Sequence, residues 1–222
     1  RVPDHANTVA ALETLGQREG YAARTAAMLE PIYLARMDMP KLIGALEARI
    51  AAETDIPSRK ELLNKLGTLY EENLGDLDKA LDTYARVFRE EISDRETWDV
   101  LSRIARQLNR WDRLADTYAQ ALEDTTADDD VTTELSFRTA ELFDQKAGDT
   151  QRARRYYHRA LAFDPTRAEV FNALEALLQR ESAYQELLQL YRDAADRSGD
   201  VEERKGYLFK IASIDESALG DL

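Results

Sequence analysis

The chain has 222 residues, 44% of them hydrophobic and 33% charged, a composition with enough apolar content for a folded core. Its formal charge of −13 repels a phosphate backbone, and its one dense basic cluster, Arg152, Arg154, Arg155 and Arg159, reads as a solvated helix face rather than a nucleic-acid site. With no cysteine there are no disulfides, thiolate nucleophiles or cysteine metal sites, and no apolar stretch approaches the roughly 18 residues of a membrane helix.

Apolar residues recur at three- and four-residue spacing throughout, and strand-like alternation is absent. The pattern predicts twelve helices, at 6–17, 20–36, 39–53, 57–74, 77–91, 94–108, 111–125, 129–146, 150–163, 166–180, 183–197 and 200–219. Turn signals separate them, among them Asp38-Met39-Pro40, Asp55-Ile56-Pro57, Gly75-Asp76, Gly148-Asp149 and Asp164-Pro165. Aspartate before proline fits an N-cap followed by early helical positions, where a missing N–H costs nothing. Pro31 falls inside the second helix and is expected to kink or restart it. The acidic run from Glu123 to Asp130 is expected to be a solvated connection.

A step of 73 residues runs through the chain. It carries Gly67 to Ala140, Tyr70 to Phe143, Gly75-Asp76 to Gly148-Asp149, Ala80 to Ala153 and Tyr84 to Tyr157. It also carries Trp98 to Phe171, Leu101 to Leu174, Trp111 to Tyr184, Leu114 to Leu187, Tyr118 to Tyr191 and Ala121 to Ala194, each pair keeping its size class. A fixed period of this kind marks a stacked array in which each unit buries its apolar face against its neighbours.

Halved, the step resembles the tetratricopeptide repeat, a helix–turn–helix unit of about 34 residues. Leu66, Gly67, Tyr70, Gly75, Ala80 and Tyr84 match that family's pattern with one extra residue before the turn. Trp98, Leu101, Trp111, Tyr118 and Ala121 match without insertion, Ala140, Phe143, Gly148, Ala153, Tyr157, Ala160 and Pro165 match again, and Phe171, Leu174, Tyr184, Tyr191 and Ala194 form a fourth copy. Leu114, Leu187 and Glu175 stand where small residues are expected, which predicts wider packing there. The resemblance implies an all-α fold, a right-handed solenoid of antiparallel helix pairs, with units at about 6–36, 25–57, 60–93, 95–127, 130–165, 167–199 and a partial one at 201–222. The chain begins at Arg1 rather than Met and ends at Gly220-Asp221-Leu222, the turn before a second helix, so a fragment of a longer array is expected. No signal peptide is visible; the compartment stays open, with the cytoplasm favoured, and the Ala, Arg and Asp usage is that of a GC-rich bacterium.

Little in the chain points to chemistry. His5 and His158 are isolated, and the acidic clusters Glu71-Glu72, Glu90-Glu91 and Asp128-Asp129-Asp130 lack calcium-loop spacing. No phosphate cradle, nucleophile–base pair or cofactor motif is present, so neither an enzyme nor a metal or cofactor site is expected.

The resemblance implies that the first helix of each pair lines an inner, concave face that meets a partner. Carried onto this chain, that face holds Glu61, Asn64, Thr68, Glu71 and Glu72, then Glu96, Asp99, Arg103, Arg106 and Gln107, then Glu134, Phe137, Glu141, Asp144 and Gln145, then Asn172, Gln179 and Arg180, and last Phe209. Its acidic bias favours a basic or amphipathic protein segment, with a smaller basic spot at Arg103, Arg106 and Arg180 and with Phe137 and Phe209 as candidate apolar anchors. One subfamily grips C-terminal carboxylates with Lys and Asn. Here those places hold Asn64, Thr68, Asp99 and Arg103, with no lysine, so that role is not expected. The expected function is a non-catalytic interaction scaffold that binds protein or peptide, not nucleic acid or membrane. The alternatives are a regulatory module of a larger enzyme or transducer, and end-to-end self-assembly.

Overall fold

The computed structural model describes residues 6–125 and 130–218, and among these the chain is all-α. It forms α1 (Ala6–Gly16), α2 (Ala22–Ala35), α3 (Met39–Ala52), α4 (Ile56–Thr68), α5 (Leu77–Glu90) and α6 (Arg95–Leu108). It continues with α7 (Trp111–Asp124), α8 (Asp130–Leu142), α9 (Thr150–Phe163), α10 (Ala168–Arg180), α11 (Tyr184–Arg197) and α12 (Val201–Ala218). Two π-helical turns, Leu69–Asn73 and Phe143–Ala147, extend α4 and α8. His5, Asp128, Asp129 and Gly220-Asp221-Leu222 lie outside the described residues.

The helix starts follow one device. Asp38, Asp55, Asp76 and Asp149 each accept a hydrogen bond from the backbone N–H three residues on, at 3.0 to 3.3 Å, and Asp94 accepts from Glu96 and Thr97. Each satisfies a backbone donor that an uncapped helix leaves unpaired. At the far ends Gly75 and Gly148 adopt φ of +64° and +71°, the left-handed region that glycine enters without steric cost.

Both π-helical turns precede those glycines. They absorb the one extra residue that the repeat pattern carries before its turn, a common origin of wide helical turns. Asp76 N–H then reaches back to the Tyr70 carbonyl at 2.8 Å, and Asp149 N–H to that of Phe143 at 2.9 Å. The same six-residue link thus closes both turns. Pro31 does not restart its helix: α2 runs unbroken from Ala22 to Ala35, so the lost proline N–H is tolerated within a helix packed on its neighbours.

Two compact units divide the chain, residues 1–110 and 111–222, with the division inside the expected repeat 95–127. In the first, α1 to α6 pack each on the next. Its core holds Leu63, Leu66, Leu81, Phe88, Trp98, Leu101 and Ile104, all nearly or fully buried. Phe88 and Trp98 meet edge to face at 6.3 Å between centroids. In the second unit α7 to α12 pack in the same sequential way around Leu114, Tyr118, Leu135, Phe143, Tyr157, Leu174 and Tyr191. Leu114 and Leu187 are fully buried, so the large residues at these expected small positions are accommodated inside the packing.

Ion pairs tie successive helix pairs together. Within the first unit Glu47 on α3 receives Arg86 on α5, at 2.7 Å. Within the second, Asp116 and Glu123 on α7 receive Arg152 and Arg155 on α9, at 2.6 and 2.7 Å, and Arg154 reaches Glu186 on α11 at 2.6 Å. Three arginines of the basic cluster are therefore tied to the next or preceding second helix. Glu90 and Glu91 likewise pair with Arg59 and Lys60.

Candidate partner-binding faces

In the first unit the predicted residues lie on α4, its π-helical turn and α6. Gly67 sits where the α5 residue Tyr84 crosses α4: a Cβ there would stand 2.7 Å from the ring carbon Cζ. The Tyr84 hydroxyl reaches Thr68 Oγ1 at 3.4 Å, and burial raises the tyrosine pKa above its ordinary value. One turn on, Glu71 holds the Arg103 guanidinium through both carboxylate oxygens, at 2.5 and 3.0 Å. Asn64, Glu72, Asp99 and Arg106 are exposed and make no side-chain hydrogen bond or ion pair among the described residues.

Asn64 and Thr68 have a further neighbour that sequence reasoning missed. They wall a groove of about 660 Å³ whose apolar lining is Leu34, Leu42, Leu46 and Leu69, with Glu30, Glu61 and Lys65 as its charged residues. Leu34 is 53% exposed and adds apolar surface to the groove wall. The signal for this groove was weak, because α2 and α3 do not repeat the Leu-Gly, Ala and Tyr spacing of the later copies.

In the second unit the predicted residues lie on α8, its π-helical turn, α10 and α12. Asp144 pairs with Arg180 and accepts a long hydrogen bond from the Tyr157 hydroxyl at 3.4 Å. The 73-residue step superposes Asp144 on Glu71 and Tyr157 on Tyr84, so a carboxylate beside a tyrosine hydroxyl recurs. The arginine does not superpose. Arg180 corresponds to Gln107, one helical turn beyond Arg103, yet each reaches its carboxylate from the next first helix.

Phe137, the stepped equivalent of Asn64, is half-buried: its ring lies 6.1 Å from that of Tyr157 and 5.3 Å from the Arg167 guanidinium carbon. Arg167 in turn pairs with Glu134. Burial, and behind it the Glu134 charge, raises the Glu141 carboxyl above its usual range. Glu175, set at an expected small position, accepts from the Tyr191 hydroxyl at 2.5 Å and from Lys210 at 2.6 Å. Gln179 donates to the same hydroxyl at 3.4 Å, and Asn172 is exposed with no side-chain hydrogen bond among the described residues. Phe209 is 76% exposed, with Leu208 and Val201 also exposed on α12.

The expected basic spot is thus largely engaged internally, since Arg103 and Arg180 neutralise Glu71 and Asp144. What stays open in the first unit is Glu61, Asn64, Glu72, Asp99 and Arg106 beside an apolar groove. No group of three or more His, Cys, Asp or Glu able to hold a metal occurs among the described residues. None of their helices is long and apolar enough to cross a membrane.

Models of a family described as tetratricopeptide repeat match residues 63–90, 97–131 and 134–166. No curated protein matches the chain. Among solved structures the chain is similar to MamA, at 14% identity and TM-score 0.41 over 86% of this chain and 92% of that one. It is also similar to a tetratricopeptide repeat protein from Parabacteroides merdae, at 16% identity and TM-score 0.40 over 91% of this chain and 78% of that one. A third is MamA from Desulfovibrio magneticus RS-1, at 13% identity and TM-score 0.37 over 90% and 99%.

Proposed function

The chain belongs to the tetratricopeptide-repeat family, and from that premise we propose that it is a non-catalytic scaffold whose first-helix faces hold a basic, amphipathic protein segment. The observation that carries this reading is the leucine groove of the first unit. Its apolar lining, with Glu30 and Glu61 beside a single Lys65, complements a segment with one apolar side and one cationic side. Glu30 is already paired with Arg49 and Lys65 offsets Glu61 at the groove itself, so the unpaired negative charge is that of Glu72 and Asp99 outside its lining. An apolar anchor in the groove supplies most of the affinity, and the surrounding carboxylates set orientation and speed of encounter.

The test is an array of basic amphipathic peptides, followed by fluorescence anisotropy on the peptides retained. Leu34 is exposed, so Leu34→Asp leaves the fold intact while placing a carboxylate at the groove. Binding is expected to weaken about tenfold or more, the equivalent of burying one side chain less well. Peptides that bind Leu34→Asp as they bind the parent, or an array with no retained peptide, would overturn the reading.

A second reading has its own observation. Val201, Leu208 and Phe209 are 65%, 51% and 76% exposed on α12, an apolar surface suited to a further helix from another copy. Light scattering across a concentration series distinguishes it: a mass that does not rise with concentration removes self-association and leaves segment binding untouched.

A further inference from the structure

The second unit contains a cavity of about 430 Å³, with Pro165, Phe171, Leu190, Ala194, Arg197 and Tyr207 among its walls. The repeat itself accounts for part of this space. The 73-residue step carries Ile92, Arg95, Trp98 and Asp124 to Pro165, Ala168, Phe171 and Arg197. In the first unit the Trp98 indole N–H donates to the Ile92 carbonyl at 2.7 Å, and the Arg95 guanidinium carbon lies 4.0 Å from the indole centroid. The indole is 1% exposed. At the stepped positions the indole shrinks to a phenyl ring and the guanidinium to a methyl group. The neighbours do not close over the loss: Phe171 turns its ring against Tyr207, edge to face at 5.6 Å, and the cavity remains beside it.

The polar groups at this cavity separate into used and unused. Lys210 is paired with Glu175, and Glu203 accepts from Ser198 at 2.6 Å. Asn172 makes no side-chain hydrogen bond among the described residues. Arg197 has one distant partner, Asp193 on its own helix at 3.7 Å. The charge pattern is also inverted relative to the preceding copy, since a cation is lost at Ala168 and a carboxylate becomes a cation at Arg197.

We infer that this cavity binds a small planar carboxylate of the indole type. The ring takes the space that Trp98 fills in the preceding copy, with its N–H toward the Pro165 carbonyl and its acid on Arg197. The volume falls in the range of pockets that enclose small molecules, and the walls divide about evenly between apolar side chains and polar ones, Asn172, Arg197 and Glu203 among them. The inference goes beyond segment binding and does not depend on it, because no wall of this cavity belongs to the leucine groove.

The test uses the whole chain and 5-fluoroindole-3-acetate as probe, read by fluorine NMR. Saturable broadening of the probe signal is expected. Ala168→Arg with Phe171→Trp rebuilds the filling of the preceding copy from within, and should abolish the broadening while far-UV circular dichroism stays helical. Arg197→Asp removes the charge-assisted contact at an exposed side chain and should weaken binding about tenfold or more. An absence of saturable broadening with the parent chain would overturn the inference. So would broadening that survives in a folded Ala168→Arg, Phe171→Trp protein. If that protein does not fold, Arg197→Asp decides alone: binding equal to the parent contradicts the assignment.

Discussion

Gly67 and Ala140 occupy the same step of the repeat, yet they are not interchangeable. In the first unit the Tyr84 ring lies directly on the Gly67 backbone. In the second, Tyr157 faces an alanine and leans on Phe137, where the first unit has Asn64. Each tyrosine is therefore fitted to its own crossing. Gly67→Ala improves intrinsic helix propensity by up to about 1 kcal/mol, but it forces a buried ring out of its place at a cost of roughly 1–3 kcal/mol. Chemical denaturation should show a net loss of stability of about 1 kcal/mol. A gain would mean that the ring moves freely and that the close crossing is unimportant.

Tyr33 permits a test by pH. Its hydroxyl donates to Glu13 at 2.9 Å, and Glu13 also takes Lys41 at 2.7 Å. Burial first, and the Glu13 carboxylate second, push the Tyr33 pKa up to about 12. The folded state holds this proton more tightly than the unfolded state does. Its stabilisation is full below about pH 10, the ordinary tyrosine value, and is lost as pH rises toward 12. Denaturation profiles from pH 9 to 12 should therefore fall more steeply for the parent than for Tyr33→Phe. Parallel profiles would remove Tyr33 from the alkaline limb.

Among the elements, the extra residue before each glycine turn was visible in the sequence, but its consequence was not. An insertion can lengthen a loop or widen a helical turn, and spacing alone does not choose. The structure chooses the wide turn, because Tyr70 and Phe143 stay in the core and their carbonyls still receive Asp76 and Asp149. The helix boundaries themselves were largely legible, since aspartate caps and positive-φ glycines act locally. Ion pairs such as Arg59–Glu90, Arg86–Glu47 and Arg103–Glu71 were not, because they join residues some 31–39 positions apart whose geometry depends on packing already being in place. Arg103 and Arg180 show this well: they serve equivalent carboxylates from positions one turn apart.

These ties set register more than they hold the helices together. The Arg103 side chain is 46% exposed, and an ion pair so exposed to solvent is worth little. A double-mutant cycle with Glu71→Gln and Arg103→Gln should give a coupling of roughly 0.2–1 kcal/mol at low salt. It should shrink as ionic strength rises and the Debye length falls. A coupling several times larger, or one indifferent to salt, would mean that this pair is part of the core energetics.

Across the molecule, the 73-residue period identified the repeats and the helices on which the candidate faces lie. It did not disclose the leucine groove, because α2 and α3 precede the well-marked copies. Nor did it disclose the cavity beside Phe171, because tryptophan and phenylalanine count as one size class in a sequence while differing in volume and in an N–H. The candidate face was legible as a set of positions. Which of its charges remain open to a partner was decided by packing.

The measurement that bears most directly on the whole reading is amide NMR mapping of the full chain with a peptide retained from the basic amphipathic array. Shifts are expected on α2, α3 and α4 around the leucine groove and on α6 beside it, with Leu34, Asn64 and Thr68 among the strongest. Shifts concentrated on α5, α7, α9 and α11 instead would place the partner on the opposite helices and contradict the account.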